Sequence, residues 1–210
     1  MPDLFPAEIE TERLRFERVS PDTLDAHEVY PYYSTEDGIE EATRYMTWEP
    51  HQHPKETFEF VQHMGEAAAK AEGAVYAVYP KAGEDGAGEL AGTAGFHPNW
   101  EKRSTTFGIW LRKRFWGRGY SGERADAFVP IAFDRLDFDL VAVAVVDENT
   151  RSKRAIEKYV DSWGGQHDGY FRNLQVHGDR PVGVHRFTIA REQYEAAVAG
   201  GRDIEVAVRE

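Results

Sequence analysis

Residues 102–118 carry Lys102, Arg103, Arg112, Lys113, Arg114 and Arg118 with no carboxylate among them, in a chain whose formal net charge is −12. This basic run passes through Gly117-Arg118-Gly119 into a helical pattern. The first N–H groups of a helix have no intrahelical acceptor, so those at this helix start face whatever anion occupies the bend. Glycine suits such a bend because no side chain blocks close approach and positive φ is open to it. Charge-assisted hydrogen bonds contribute roughly 1.5–3 kcal/mol each, so three or four main-chain donors can hold a diphosphate at micromolar affinity after association costs.

Other spacings with chemical potential are weaker. Gly117-Arg118-Gly119-Tyr120-Ser121-Gly122 spells the GxGxxG of dinucleotide-binding folds. In those folds the first glycine follows the first strand almost at once, whereas here Arg112-Lys113-Arg114-Phe115-Trp116 intervenes and earlier strands precede it. The acid required about 20 residues on would be Asp137 or Asp139, which come before the next strand instead of ending it. His51 and His53 have ligand-like spacing but no third ligand nearby, so no metal is implied. Without cysteine there is no disulfide, thiolate metal site or cysteine-borne acyl intermediate, and any acyl transfer is direct or uses another nucleophile.

The elements that must position the bend are legible as an alternation of strands and helices. Ile9 to Val19 reads as an opening strand, and a helical stretch runs from Pro21-Asp22 through Tyr30. A polar, aromatic loop leads to a second helix from His53 or Pro54 to Ala71, with Phe58, Val61, Met64 and Ala68 along one face. Ala74 to Tyr79 and Glu89 to Phe96 read as strands joined by a glycine-rich surface turn, and Thr105 to Leu111 as another. The helix after the bend spans about Gly119 to Arg135, with Ala125, Phe128, Val129, Ala132 and Leu136 on its apolar face. Leu140 to Val146 is a nearly unbroken apolar run, expected to be a central strand covered on both faces. Asp147-Glu-Asn-Thr opens a helix to about Ser162, Gly164-Gly165 ends it, and strands follow at Gly169 to Val176 and Val182 to Ala190. The last fifteen or so residues read as peripheral. One domain over residues 1–210 is expected.

Composition narrows the function. An acidic chain lacks the basic surface that displaces counterions, so nucleic acid is not an expected partner. No apolar run approaches the roughly 18 residues of a membrane span, and Met1 to Arg15 lacks an apolar signal core, so no membrane partner and a cytoplasmic location are expected. Arginine outnumbers lysine, a balance that resembles proteins of salt-rich cytoplasm. Monomer and homodimer both stay open.

The segment Arg114-Phe-Trp-Gly-Arg-Gly-Tyr-Ser-Gly-Glu resembles motif A of the GNAT acetyltransferases, in the Trp-Gly-x-Gly-Tyr form of the branch that acetylates ribosomal-protein N-termini. Downstream, Val143-Ala-Val-Val-Asp-Glu-Asn-Thr-Arg-Ser-Lys-Arg-Ala-Ile-Glu-Lys is similar to that branch's next strand and helix, with its Asn-x-x-Ser pair as Asn149 and Ser152. Ile9-Glu-Thr-Glu-Arg-Leu-Arg matches the branch's usual opening. The resemblance covers residues 8–190 and leaves 191–210 as a C-terminal extension. Gly122 and Arg124 depart from it where the branch has Thr or Ser and Ala, as does Tyr159-Val-Asp-Ser-Trp-Gly-Gly in place of Leu-Gly-Phe.

The resemblance implies a mixed α/β (α+β) GNAT fold: a largely antiparallel sheet of about seven strands with helices on both faces. Its fourth and fifth strands, here Thr105 to Leu111 and Leu140 to Val146, run parallel and splay apart. It further implies that acetyl-coenzyme A is the cosubstrate. Main-chain groups of Ile109, Trp110 and Leu111 would bind its pantetheine arm. Its pyrophosphate would lie on Arg114, Phe115, Trp116, Gly117, Arg118, Gly119, Tyr120 and Ser121, and Asn149 and Ser152 would serve both binding and catalysis. The Ser152 hydroxyl would meet the departing sulfur, although Asn149 is equally a good helix N-cap and Ser152 a first-turn residue. The acceptor would be a primary amine, such as the N-terminus of a ribosomal or other protein. At pH 7 an α-amine is roughly one-tenth neutral and a lysine below about one part in a thousand, so an N-terminal acceptor needs less help from a base. His97, Glu101 and Asp147 lie near strand ends where a base could sit, without one standing out. The alternative from another class is a noncatalytic acyl-coenzyme A-binding regulatory module of the same fold.

Overall fold

Ile9, Phe16 and Val78 lie side by side on neighbouring strands, and all three are removed from solvent. On β1 and β2 these residues alternate with charged ones, whereas on β3 Ala77, on the face opposite Val78, is buried as well. The computed structural model describes residues 3–177, 180–202 and 204–210. Among them are nine strands: β1 (Glu8–Glu10), β2 (Leu14–Arg18), β3 (Ala74–Pro80), β4 (Gly92–Asn99), β5 (Ser104–Leu111), β6 (Leu140–Val146), β7 (Gln166–His177), β8 (Arg180–Ala190) and β9 (Ala207–Arg209). The α-helices are α1 (Ala26–Ser34), α2 (Ile39–Thr43), α3 (Pro54–Ala69), α4 (Tyr120–Pro130), α5 (Thr150–Ser162) and α6 (Arg191–Ala199).

The chain divides into two compact units. The first takes the residues up to His97, Ile109–Arg118 and Val206–Glu210. Its strands run β4-β3-β2-β1-β9, every neighbouring pair antiparallel. A core of Val19, Leu24, Val29, Tyr33, Ile39, Val61, Ala77, Leu90 and Trp110 packs α1 to α3 against it. The second unit takes Pro98–Gly108 and Gly119–Glu205. Its strands run β7-β8-β6-β5, with β5 and β6 the parallel pair. Here α4 buries Ala125, Phe128 and Val129, and α5 buries Ile156, Tyr159 and Val160.

The mixed, mostly antiparallel arrangement matches the expected fold, with nine strands instead of seven. One extra strand arises because the opening run is broken: Thr11 Oγ1 accepts from the Leu14 amide at 3.1 Å, and the turn separates β1 from β2. The other is β9, which pairs with β1 at the edge of the sheet with all three residues exposed, so the chain's last residues add an edge strand to the first unit. In α6, Tyr194 stacks on Phe133 at 4.7 Å. The first helix starts at Ala26, where Asp25 caps the amides of His27 and Glu28, and not at Pro21. Phe58, assigned to the apolar face of α3, is 54% exposed; the α3 residues buried from solvent are Thr57 and Val61. The long helix after the bend changes at Pro130, which cannot donate to the preceding turn, into a π-helical turn over Ile131–Arg135. In β6 the valines at 141, 143, 145 and 146 are buried and the intervening residues half-buried, so one face is better covered than the other.

The end of β5 is anchored by a buried ion pair. Arg112, 4% exposed, donates through Nε to Glu36 Oε2 at 2.7 Å and through Nη1 to the Leu90 carbonyl, with the Tyr32 ring 3.8 Å from its Cζ. Removing Glu36 leaves the buried Arg112 charge with only the more distant Glu89 at 3.7 Å, at a cost of about 1–3 kcal/mol. Glu36→Ala is therefore expected to lower the urea midpoint of unfolding strongly, whereas removing the exposed Arg103 guanidinium, paired with Asp137 and Asp139, is expected to move it little. Equal midpoints for Glu36→Ala and the wild type would contradict the anchoring role.

Candidate active site

From Leu111 the chain turns through a 3-10 turn, Lys113–Phe115, into the glycine bend and α4. Phe115 is buried at its base, and its amide donates to the Arg112 carbonyl at 2.9 Å. Gly117 and Gly119 adopt φ of 80° and 82°, left-handed values that side chains resist, which accounts for glycine at both positions.

Several carbonyls on either side of the bend are occupied by protein donors. Leu111 O accepts from Trp116 Nε1 at 2.8 Å, Arg114 O from Arg118 Nη2 at 3.0 Å, and Arg118 O from Arg13 Nη1 at 3.1 Å. Gly119 O accepts from the amides of Gly122 at 3.0 Å and Glu123 at 3.2 Å. By contrast, the amides of Gly117, Gly119 and Ser121 have no protein acceptor among the described residues. A Cβ added to Gly117 would meet nothing within 4 Å. Donors without protein acceptors beside left-handed glycines at a helix start are suited to an anion. The donor set fits a diphosphate.

The basic side chains of the segment are neutralised by acids that lie elsewhere in the sequence. Lys113 pairs with Glu41 at 2.7 Å, Arg114 with Glu89 at 2.6 Å and Arg118 with Asp85 at 2.7 Å. The hydrogen bond from Arg118 holds the Asp85 carboxyl below its ordinary range. The turn between β3 and β4, read from sequence as surface only, thus supplies the counter-charges that brace the bend. Concentrated positive charge in the sequence becomes paired charge in space, and the unpaired donors are main-chain groups.

Ile109, Trp110 and Leu111 end β5. The Trp110 ring is buried against Tyr33 at 4.9 Å and Trp48 at 5.3 Å, so its side chain belongs to the first unit's core. The Leu111 carbonyl, expected to be free, is taken by Trp116. Trp116 is fixed by that bond, and Tyr120 is buried at the first position of α4.

In the second unit, β5 and β6 pair only at Ser104↔Leu140, Thr105↔Val141 and Thr106↔Ala142, although β6 runs on to Val146. The parallel ladder therefore stops early, as the expected splay requires. Asn149 is the N-cap of α5, its Oδ1 accepting from the Ser152 amide at 3.2 Å. The half-buried Ser152 has a hydroxyl with no partner among the described residues. Capping by Asn149 orients the first turn that carries Ser152, so the structural role read for Asn149 is present in the geometry.

Of the acids and bases considered from sequence, His97 and Glu101 are exposed. Asp147 is committed: His185 Nε2 lies 2.8 Å from its Oδ1 and Lys153 Nζ at 3.6 Å, and His185 holds its carboxyl below the ordinary range. His167 Nε2 lies 3.0 Å from His185 Nδ1. Sequence reading missed this cluster because it depends on the register that sets His185 opposite Val145. Asp137 and Asp139, the acids a dinucleotide fold would use, are engaged by Arg103. Among the described residues no group of acids and histidines could hold a metal, and no helix is long and apolar enough to cross a membrane.

Residues 13–159 match the family model described as an acetyltransferase (GNAT) domain. The chain is 23% identical over 185 residues to the uncharacterized N-acetyltransferase p20 of Bacillus licheniformis, an alignment covering 88% of this chain and 96% of that one. A crystal structure of a GCN5-related N-acetyltransferase from Brucella melitensis has the same fold, with a TM-score of 0.72 at 19% identity over 94% of this chain and 86% of that chain. So has spermidine N-acetyltransferase from Vibrio cholerae in complex with CoA and spermine, with a TM-score of 0.66 at 16% identity over 87% and 98%. The family match runs from the turn before β2 into α5 and takes in both the bend and the Asn149 cap, and on that ground the chain belongs to the GNAT acetyltransferases and is an acetyl-CoA-dependent N-acetyltransferase.

Proposed function

We propose that the chain acetylates the α-amine of a protein or peptide N-terminus, within the branch of the family that modifies ribosomal proteins. The Trp116-Gly117-Arg118-Gly119-Tyr120 form of the bend and the Asn149–Ser152 pair support that branch. The observation that carries the cofactor assignment is the set of main-chain donors at Gly117, Gly119 and Ser121, which have no acceptor in the protein. The pyrophosphate of acetyl-CoA is assigned to these amides, with Arg118 and Tyr120 in the same bend; the Phe115 and Trp116 amides, expected to join them, donate instead to the Arg112 and Lys113 carbonyls at 2.9 and 3.1 Å. The pantetheine arm is assigned to the main chain of Ile109, Trp110 and Leu111, the Leu111 carbonyl excepted. The guanidinium groups of Arg114 and Arg118 brace the bend through Glu89 and Asp85.

Acetyl-CoA supplies the activated acyl group. The neutral amine attacks the thioester carbonyl, the carbon–sulfur bond breaks as the carbon–nitrogen bond forms, the proton lost by the amine ends on the departing sulfur, and the Ser152 hydroxyl donates a hydrogen bond to that sulfur as it leaves. The positive end of α5 lies beside that hydroxyl and favours the departing negative charge. Asn149 holds this turn in place through its bond to the Ser152 amide. Asp147 is bound to His185, which favours an acceptor that needs little help in losing its proton. An α-amine with a pKa near 7.7–8.0 meets that condition, and a lysine near 10.4 does not.

Thiol release with a panel of N-terminal peptides, internal-lysine peptides and spermidine tests the acceptor. N-terminal peptides are expected to be turned over, with a rate that rises with pH and levels off above about 8 as the α-amine loses its proton. Turnover of spermidine or internal lysine alone, still rising above pH 9, would reassign the acceptor. Gly117→Ala adds a methyl group in open space at a left-handed position, at a cost of about 1–2 kcal/mol in stability. It is expected to remain folded by circular dichroism and to weaken CoA at least about tenfold by calorimetry; an unchanged Kd would remove the bend from the cofactor site. Ser152→Ala is expected to lower kcat with little change in CoA affinity, and equal losses in both would argue against its leaving-group role.

A further inference from the structure

Arg124 is one of two residues, with Gly122, at which α4 departs from the family pattern, and its surroundings are unusual for a cation. It is 1% exposed, and its Nε and Nη1 are buried without a hydrogen-bond partner. Its Cζ lies 5.3 Å from the Phe107 ring, 5.6 Å from Tyr159 and 5.7 Å from Phe128. Among the described residues no carboxylate pairs with it. The contrast with Arg112 is direct, since that equally buried guanidinium is met by Glu36. Aromatic faces compensate a desolvated cation only in part, and a guanidinium does not shed its proton in proteins. An uncompensated buried charge is strongly unfavourable, so the protein without ligand retains it at a cost to its own stability.

The position of Arg124 in its helix suggests what balances it. α4 begins at Tyr120, so Arg124 lies four residues in, about 6 Å along the axis from a mouth where the Gly119 and Ser121 amides await an acceptor. Its backbone thus belongs to the first turns of the helix, whose start already carries the partial positive charge of the macrodipole, and its guanidinium is packed among Phe107, Phe128 and Tyr159.

We infer that Arg124 is a cofactor-affinity determinant whose counter-charge is the diphosphate bound at the start of its own helix. This rests on the acetyl-CoA reading of the bend and adds a discrimination to it: Arg124 favours acyl carriers bearing phosphates over phosphate-free pantetheine thioesters. Because the guanidinium is enclosed, salt screens it weakly, unlike the exposed ion pairs around Arg114 and Arg118. Its contribution therefore persists at ionic strengths that cancel surface attraction.

The test compares wild type, Arg124→Met and Arg124→Lys in three measurements: CoA binding by calorimetry at about 0.1 M and 1 M salt, competition by acetyl-pantetheine, and urea unfolding without ligand. For Arg124→Met the expected results are CoA binding weakened at least about tenfold at both salt concentrations, unchanged acetyl-pantetheine affinity, and an unliganded midpoint no lower than wild type. Arg124→Lys is expected to recover most of the lost affinity. Wild-type CoA affinity in Arg124→Met, equal weakening of both ligands, an affinity loss confined to low salt, a lowered unliganded midpoint or no recovery with lysine would each overturn the inference. A wild-type protein that binds no CoA would instead overturn the cofactor assignment itself.

Discussion

The bend before α4 presents main-chain amides without protein acceptors while several carbonyls around it are engaged by other donors, and the proposed hold on a diphosphate depends on that separation. Two left-handed glycines reverse the chain between the 3-10 turn and the helix. Arg13, Arg118 and Trp116 then bind the carbonyls of Arg118, Arg114 and Leu111. The donors at Gly117, Gly119 and Ser121 have no protein acceptor among the described residues, and Gly117 and Gly119 are exposed. β5 delivers the chain to the bend, Phe115 seats it, and the buried Arg112–Glu36 pair holds the approach.

The electrostatics follow from that division of labour. An acidic chain holding a polyanion might be expected to rely on a patch of free cations, but Arg114, Arg118 and Lys113 spend their charge on Glu89, Asp85 and Glu41. They act as braces. Short-range amide hydrogen bonds survive conditions in which long-range attraction does not, since the Debye length falls to ~3 Å near 1 M salt. The arginine-rich, acidic composition is compatible with such conditions if the ligand is held as proposed, because main-chain amides need no free surface charge.

The parts legible from sequence were those set by local rules. The glycine pair, the basic approach, the apolar face of α4, the valine run of β6 and the Asn149 cap each follow from spacing or residue type within a few positions. The parts that were not legible depend on contacts distant in sequence. Nothing near Arg118 indicates that Asp85 will meet it, nothing near Asp147 indicates His185, and nothing in the period of α4 marks Arg124 as buried, since an arginine at that spacing reads as a solvated face. Two misses were local: the break at Thr11–Arg13 comes from a side-chain-closed turn that imperfect alternation hinted at, and Pro130 marks the π-helical turn in plain view. Phe58 was read as core because its spacing fits, yet the sheet meets α3 on the side of Val61.

The most direct measurement is an amide nitrogen–proton correlation spectrum of the isotopically labelled protein during titration with CoA. The expected result is that the Gly117, Gly119 and Ser121 amides move furthest downfield, saturate together and become slower to exchange with solvent. If those three amides stayed still while CoA bound and perturbed some other part of the chain, the grip would lie elsewhere and the account of the bend would be wrong.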